Sequence, residues 1–149
     1  MANVIYHSKL RIEKMSESFV ETEQIFSSKD SETIARKFWD IGSIEIYESF
    51  NVVYLNRANK PIAWAEIGIG GTDGVVVDKK IVFAHAILAN ASAMIVFHNH
   101  PSGNLKPSEA DNRLTRDLKQ SGDIIGIKVL DHLILTANSY YSFADEGMI

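Results

Sequence analysis

The fold is decided at positions 93–103, which read Ala93-Met94-Ile95-Val96-Phe97-His98-Asn99-His100-Pro101-Ser102-Gly103. The first five residues form a continuous apolar run, which is typical of a central strand covered on both faces. Because side chains alternate along an extended chain, His98 and His100 are expected on the same side at the carboxyl end of that strand. Ligand sites collect at such strand ends in α/β sheets. The stretch therefore predicts a buried strand that ends in a functional site.

Apolar periodicity predicts helices and strands on both sides of this central strand. The predicted elements are a helix at 31–40, strands at 43–55 and 61–69, a helix at 78–89, the strand at 93–97, a helix at 108–120, and strands at 127–135 and 140–143. Gly122 is expected just past the end of the helix at 108–120. The order α-β-β-α-β-α-β-β predicts an α/β fold with a mixed sheet and helices on its faces. Residues 1–27 are predicted to be a lead-in segment, and residues 28–149 one domain.

Composition narrows the class of protein. A chain of 149 residues with 46% apolar and 23% charged residues is typical of one soluble globular domain. The absence of cysteine excludes disulfides, thiol catalysis and cysteine-bound zinc. No apolar run is long enough to cross a bilayer, and the first residues lack the pattern of a secretion signal. A cytoplasmic enzyme without membrane attachment is therefore expected.

The residues around the histidines can supply a metal site. Zinc in hydrolases takes three ligands of the His/Asp/Glu kind and leaves a position for water, and His98, His100 and Asp111 provide that set. Asp111 lies three residues before Leu114, so it shares the inward face of the predicted helix and needs a compensating partner there. The alternative interpretation of Ser108-x-x-Asp111 is a helix capping box without any ligand. His98 and His100 likewise have the alternative of being ordinary polar residues at a strand end.

A hydrolytic site also needs a base, and Glu66 is the predicted candidate. It lies in the middle of the strand at 61–69, with Trp64 and Gly68 as neighbours on the same face. Apolar surroundings raise the pKa of a carboxyl toward the range that is useful for proton transfer. A strand glutamate that pairs with an arginine, or lies at a sheet edge, is the alternative. His132 is predicted either to brace a ligand from behind or to be an ordinary strand histidine.

These residues carry a family resemblance. The pattern His98-x-His100, seven residues, then Ser108-x-x-Asp111, preceded by Glu66, resembles the JAMM signature of MPN-plus metalloproteases. More narrowly, the hexapeptide at 98–103 and the tetrapeptide Val129-Leu130-Asp131-His132 resemble the RadC family. The similarity extends over residues 28–149.

The resemblance implies the cytidine-deaminase-like α/β fold of MPN domains and a Zn²⁺ ion held by His98, His100 and Asp111. It further implies Glu66 as the general base and Ser108 as the hydroxyl that donates to the developing oxyanion. Full-length RadC proteins carry an N-terminal helix-hairpin-helix domain, which residues 1–30 are too short to form.

Two function classes follow from these patterns. The leading hypothesis is a zinc-dependent hydrolase of the metallopeptidase or isopeptidase type, with an unknown protein or peptide as substrate. The alternative is a nucleic-acid-associated accessory module linked to DNA repair or mobile elements, with Arg113, Arg116 and Lys119 as a helical basic stripe. The net charge of −4 and the missing hairpin module disfavour DNA binding.

Overall fold

The computed structural model describes residues 24–72 and 74–149, which form a five-stranded mixed sheet flanked by helices. The elements follow one another as α1 (Ser28–Phe38), a 3-10 turn (Ile41–Ser43), β1 (Ser49–Leu55), β2 (Pro61–Ile69), α2 (Lys79–Leu88), β3 (Ala93–Asn99), α3 (Glu109–Ile125), β4 (Lys128–Leu135) and β5 (Tyr140–Ser142). The predicted α/β fold and its order of helices and strands are confirmed.

The strand order in the sheet is β2-β1-β3-β4-β5. β1 is antiparallel to both of its neighbours, β3 is parallel to β4, and β5 is antiparallel to β4. β3 therefore lies in the middle of the sheet, and all seven of its residues are buried, as the apolar run predicted. The parallel pair β3 and β4 is joined through α3, so the start of α3 follows the carboxyl end of β3.

The two faces of the sheet pack against different helices. Ile34 of α1 belongs to one apolar cluster together with Phe97 of β3. Val82 of α2 and Leu118 of α3 belong to the other cluster, together with Val96 of β3. The alternation of side chains along β3 accounts for the division. Odd-numbered residues of this strand face α1, and even-numbered residues face α2 and α3.

The first strand begins later than predicted, because local turns take up its proposed first residues. The predicted start was at residue 43, whereas β1 begins at Ser49. The side chain of Asp40 accepts a 3.1 Å hydrogen bond from the backbone N–H of Gly42, and the N–H of Ser43 donates to the carbonyl of Asp40 at 2.9 Å. These bonds begin a 3-10 turn, and a side chain that satisfies nearby backbone groups in this way competes with strand pairing.

The helix predicted to end at residue 120 continues to Ile125, with Gly122 inside it and not beyond its end. A Cβ atom at position 122 would lie 2.3 Å from the carbonyl oxygen of Ile127, so only glycine allows this turn of the helix to approach the next segment so closely. Gly126, with φ of +83°, takes the left-handed conformation that ends the helix. A glycine does end this helix, as predicted, but it is Gly126 and not Gly122.

The start of the chain is only partly described. Ile25 is buried, and its backbone N–H donates to the carbonyl of Asn59 at 3.0 Å, so this residue packs onto the domain. Most of the lead-in predicted at residues 1–27 lies outside the described residues, and the boundary at residue 28 stays a prediction. No helix within 24–72 and 74–149 combines the length and the apolar character needed to cross a membrane.

Candidate metal centre

His98 and His100 lie at the carboxyl end of β3 with their rings together. His98 is the last even-numbered residue of the strand and is 2% exposed. His100 follows the strand, and its backbone N–H donates to the carbonyl of Leu135 on β4 at 3.0 Å. The Nε2 atoms of the two imidazoles are 3.0 Å apart. The two rings therefore meet as the alternation along an extended chain predicted.

Asp111 reaches both histidines from the first turn of α3. Its Oδ1 atom lies 3.2 Å from Nε2 of His98, and its Oδ2 atom lies 3.6 Å from Nε2 of His100. The candidate ligand atoms of the three residues all lie within 4.8 Å of one another. Two imidazole nitrogens and a carboxylate oxygen at this spacing make up a donor set that suits a divalent metal ion. The structure thus brings the three predicted ligands together.

Ser108 and Asp111 also form the helix cap that was the alternative interpretation of their spacing. The Oγ atom of Ser108 accepts from the backbone N–H of Asp111 at 3.1 Å. The Oδ2 atom of Asp111 accepts from both the backbone N–H and the hydroxyl of Ser108, each at 2.7 Å. Because both donors contact Oδ2, the cap leaves Oδ1 turned toward His98. Capping and metal ligation are therefore compatible, since the cap orients the carboxylate.

The charges at this site favour an ionised carboxylate beside the imidazoles. Burial alone would raise the pKa of Asp111, but the imidazoles of His100 and His98 beside it outweigh that effect and hold the pKa well below its usual value. The neighbouring carboxylate of Asp111 in turn raises the pKa of His100. The carboxylate thus attracts positive charge, which is the electrostatic requirement of a cation site.

The loop after β3 sets the orientation of the His100 ring. Its Nδ1 atom lies 2.6 Å from the carbonyl oxygen of Asn104. A carbonyl only accepts, so a hydrogen is on Nδ1, and Nε2, which faces Asp111, is the nitrogen available to a cation. Gly103 makes the turn possible with φ of +78°, and its N–H donates to the carbonyl of His100 at 3.0 Å. The loop thus presents the His100 ligand atom to the site.

The cluster opens into a cavity of about 300 Å³. The lining combines the candidate ligands with apolar side chains. The lining residues are Glu48, Phe50, Gly74, Val75, Val77, His98, His100, Ser108, Ala110, Asp111 and Leu114. The cavity therefore places an apolar surface beside a group of ionisable side chains, as expected of a site for a small ligand or a chain segment.

Glu66, the predicted base, is not among the residues that line this cavity. It is exposed on β2 and pairs with Asn51, an odd-numbered residue of β1. Trp64, two residues earlier on the same face, packs into the cluster beside α1. His98 faces the opposite side of the sheet, so the sheet itself separates the carboxylate of Glu66 from the histidines. The structure does not bring Glu66 into the site, because strand parity directs it to the other face.

Glu48 is the glutamate that lines the cavity, and sequence reasoning missed it. Phe50 pairs with His98 across β1 and β3, so the same register carried two residues further puts Glu48 level with His100. The charge of Glu48 also contributes to raising the pKa of His100, after the larger effect of Asp111. Its backbone is held by hydrogen bonds of 2.8 Å with Gly70 and Gly71. Parity along β1 puts Glu48 on the face of Phe50, but the pairing of Phe50 with His98 is needed before parity points to the site.

Asn99, which lies between the two histidines in the sequence, forms hydrogen bonds to the segment that carries Glu48. It is fully buried on the α1 side of the sheet, and its Nδ2 atom donates to the carbonyls of Ile44 and Tyr47, each at 2.8 Å. Its Oδ1 atom accepts from the backbone N–H of Ser49 at 2.8 Å. Every hydrogen-bonding atom of this amide group is thus used to hold residues 44–49 against the end of β3. The site glutamate and the site histidines are therefore linked through the residue between the histidines.

His132 lies directly behind His98. It is fully buried on β4, and its Nε2 atom is 2.7 Å from Nδ1 of His98. Its Nδ1 atom is 2.7 Å from the hydroxyl of Thr115 on α3. Burial and the neighbouring His98 lower the pKa of His132 well below its usual value. Of the two interpretations of this histidine, the geometry matches the one in which it contacts a candidate ligand from behind.

Together the fold and the side-chain cluster define an α/β domain with a candidate divalent-metal centre where its central strand ends. The chain belongs to the RadC-like JAB domain family, which matches residues 25–148. The resemblance to RadC that the sequence motifs carried is confirmed.

Curated relatives share much of this chain and extend beyond it. A protein from Flavobacterium johnsoniae is 43% identical over 133 residues, which are 89% of this chain and 57% of that protein. A protein from Salinibacter ruber is 46% identical over 68% of this chain and 44% of its own length. A protein from Fusobacterium nucleatum is 36% identical over 100% of this chain and 62% of its own length. All three are named UPF0758 protein, and the chain spans about half the length of these relatives.

Proposed function

We propose that this domain is a zinc-dependent hydrolase that cleaves a peptide or isopeptide bond. The observation that carries the proposal is the convergence of His98, His100 and Asp111 in a cavity that also contains a glutamate and a serine. The two imidazoles and one carboxylate match the ligand set of catalytic zinc, which leaves a coordination position open. Zinc bound there would polarise the scissile carbonyl and lower the pKa of a water molecule to near neutrality.

Glu48 takes the part of the general base in this proposal, in place of Glu66. Its carboxylate removes a proton from the attacking water and returns it to the leaving amine, as the same group does in general acid–base catalysis elsewhere. Glu48 lines the cavity and lies level with His100, whereas Glu66 is exposed on the far face of the sheet. The base is thus assigned by side-chain location.

Ser108 is proposed to donate its hydroxyl to the oxyanion that develops on the scissile carbonyl. In the structure that hydrogen is directed at Oδ2 of Asp111, so the hydroxyl rotates away from the carboxylate when it serves the oxyanion. Its oxygen continues to accept from the backbone N–H of Asp111 after such a rotation. Ser108 therefore has a capping role in either orientation and a catalytic role in one.

The substrate proposed is an extended protein or peptide segment. The apolar lining residues, which include Val75, Val77 and Leu114, can take up the side chain next to the scissile bond. The amide itself lies beside the cluster of candidate ligands. Because the relatives extend beyond the region that this chain covers, we assign the hydrolytic step to this domain and leave recognition of the whole substrate to the complete protein.

The metal is tested by elemental analysis of protein purified without added metal. We expect about one zinc per chain in the wild type and a large loss in His100→Ala, since a catalytic site with two ligands binds zinc poorly. Circular dichroism of the variant controls for folding. Equal and negligible zinc in both proteins would overturn the proposal.

The base is tested with a matched pair of variants, Glu48→Gln and Glu66→Gln, on quenched-fluorescent peptides and lysine isopeptides. General acid–base groups contribute about a hundredfold or more, so Glu48→Gln should lower turnover by at least about that factor with zinc content intact. Glu66→Gln should leave turnover unchanged, because that side chain lies on the opposite face. The reverse result would return the role to Glu66.

A further inference from the structure

Behind the candidate ligand His98 lies an uninterrupted line of buried hydrogen bonds. The hydroxyl of Thr115 is 2.7 Å from the backbone carbonyl oxygen of Asp111 and 2.7 Å from Nδ1 of His132. Nε2 of His132 is 2.7 Å from Nδ1 of His98. Thr115 is 2% exposed and His132 is fully buried, so water does not offer these atoms an alternative partner. The positions of their hydrogens are therefore determined by one another.

The direction of the line follows from counting donors, starting at the backbone carbonyl of Asp111. A carbonyl oxygen only accepts, so the single hydrogen of the Thr115 hydroxyl is directed to it. In the hydrogen bond between Thr115 and His132, the imidazole must then be the donor, which puts a hydrogen on Nδ1 of His132. In the neutral ring, Nε2 of His132 is consequently an acceptor.

The last step determines the state of the ligand. Because Nε2 of His132 accepts, His98 carries a hydrogen on Nδ1, and Nε2 is the nitrogen left to face a cation with its lone pair. That Nε2 atom faces Oδ1 of Asp111 at 3.2 Å and Nε2 of His100 at 3.0 Å. We propose that Thr115 and His132 are positioning residues that hold His98 in the tautomer whose lone pair is directed at the cation site. This inference rests on the proposed function only through the cation site.

The ring of His132 has one orientation that satisfies both ends of the line. Rotation of the ring by 180° would put carbon atoms against Thr115 and His98 and lose both hydrogen bonds. Phe143 stacks on the ring at a centroid distance of 4.7 Å, and Phe50 contacts it edge-on at 5.9 Å. These aromatic neighbours fix the plane of the ring while its two nitrogens select the orientation.

A neutral relay suits this location. Zinc-bound histidines are commonly braced by a carboxylate, which would here have to be buried among aromatic side chains at a high desolvation cost. Histidine and threonine supply the same directional hydrogen bond without a second negative charge. The relay also ends on the backbone of Asp111, so it connects two candidate ligands through groups that do not themselves face the cavity.

The experiment compares Thr115→Val with Thr115→Ser. Valine keeps the shape but removes the acceptor, so His132 satisfies itself by moving its hydrogen to Nε2, and His98 must then carry its own hydrogen on Nε2. Loss of an outer partner of this kind costs about 10- to 100-fold in metal affinity, and we expect that rise in the zinc dissociation constant for Thr115→Val. Thr115→Ser keeps the hydroxyl and should bind zinc within about threefold of the wild type, because the same relay remains.

A second measurement reads the tautomers directly in metal-free protein. Long-range ¹H–¹⁵N spectra should show His98 with a hydrogen on Nδ1 in the wild type and Thr115→Ser, and with a hydrogen on Nε2 alone in Thr115→Val. A wild-type His98 without a hydrogen on Nδ1 would overturn the relay even if the variants fail to fold. Wild-type zinc affinity in Thr115→Val would also overturn it.

The failure of the relay and the failure of the proposed function give different results. A wild-type protein that binds no zinc, yet shows the expected tautomers, contradicts the proposed function and leaves the relay standing. A wild-type protein that binds zinc with the same affinity as Thr115→Val contradicts the relay alone. A purely structural role for Thr115 would lower the thermal stability of Thr115→Val without changing the zinc affinity of the folded protein.

Discussion

Asn99 accepts a 2.8 Å hydrogen bond from the backbone N–H of Ser49, a residue 50 positions earlier in the chain. The bond joins the end of β3 to the start of β1. Asn99 lies between His98 and His100, and Ser49 directly follows Glu48. The amide of Asn99 therefore controls how the segment with the proposed base meets the strand with the proposed ligands.

Replacing Asn99 by aspartate should destabilise the fold. Asn99→Asp keeps an acceptor for Ser49 but removes both donors to the carbonyls of Ile44 and Tyr47, and it introduces a charge at a fully buried position. We expect the free energy of unfolding to fall by about 2–4 kcal/mol at neutral pH, measured by urea denaturation. Asn138→Asp, at an exposed turn, is the control and should change it by less than about 0.5 kcal/mol. Equal effects of the two substitutions would contradict the structural role of Asn99.

Two glycines at the end of α3 should differ in their tolerance of alanine. At Gly122 a Cβ atom would lie 2.3 Å from a backbone carbonyl, and backbone cannot move as cheaply as a side chain. Gly122→Ala should lower the free energy of unfolding by about 2–3 kcal/mol. This loss exceeds the gain of about 1 kcal/mol that alanine brings through its higher helix propensity. Gly126→Ala meets no atom within 4 Å but adopts φ of +83°, and should cost about 1 kcal/mol. Thermal unfolding of both variants tests the order, and a larger loss for Gly126→Ala would be the contrary result.

The buried glutamate of α1, Glu32, predicts a pH dependence of stability. Burial alone would raise the pKa of Glu32, but hydrogen bonds from Lys29 and Arg36 outweigh it and lower the pKa below its usual value of 4.5. The unfolded chain therefore binds more protons, so the stabilisation is complete above pH 4.5 and is lost as the pH falls through the folded pKa. Glu32→Gln should be less stable than the wild type by about 1–2 kcal/mol at pH 7, with a smaller gap in acid.

Urea denaturation at a series of pH values measures this gap. Glu45→Gln, at an exposed position, serves as the control and should follow the wild type throughout. A gap between Glu32→Gln and the wild type that widens on acidification would show that the sign is wrong.

The two roles assigned to Ser108 separate in its variants. Ser108→Ala removes the cap and should cost about 1 kcal/mol of stability whether or not the residue is catalytic. As an oxyanion donor, the hydroxyl also contributes about a hundredfold in rate, so turnover on a working peptide should fall by that factor with zinc content intact. Ser108→Thr keeps the hydroxyl and should retain both properties. Full activity in Ser108→Ala would leave only the capping role.

Binding to DNA should be weak and sensitive to salt. Arg113 and Arg116 are exposed on α3, but Asp117 lies among them, and Lys119 pairs with Asp123 at 3.4 Å. Electrophoretic mobility shifts at physiological salt should show no tight complex, and any binding at low salt should fall steeply as salt rises. Tight binding that is lost when the three cations are neutralised would favour the nucleic-acid-associated alternative.

Local sequence patterns were sufficient to predict those features whose geometry depends on a single helix or strand. The apolar run at 93–97 could only be buried on both faces, and the spacing of His98 and His100 put both rings on one side of whatever sheet formed. The spacing of Ser108 and Asp111 is likewise a property of one helix turn, so its capping box could be predicted without any neighbour.

Only the tertiary structure decided which carboxylate lines the cavity. Glu48 and Glu66 both lie on or beside strands, and nothing local to either shows which face of the sheet it will take. The choice depends on how β1 pairs with β3 and how β2 pairs with β1, because a shift of one residue in register moves a side chain to the opposite face. The same holds for the contacts of His132 with His98 and Thr115. They form only because the chain crosses over the sheet through α3 and returns as β4, the parallel neighbour of β3. Pairing between distant segments is set by the packing of the whole core, and a pattern within one segment does not contain it.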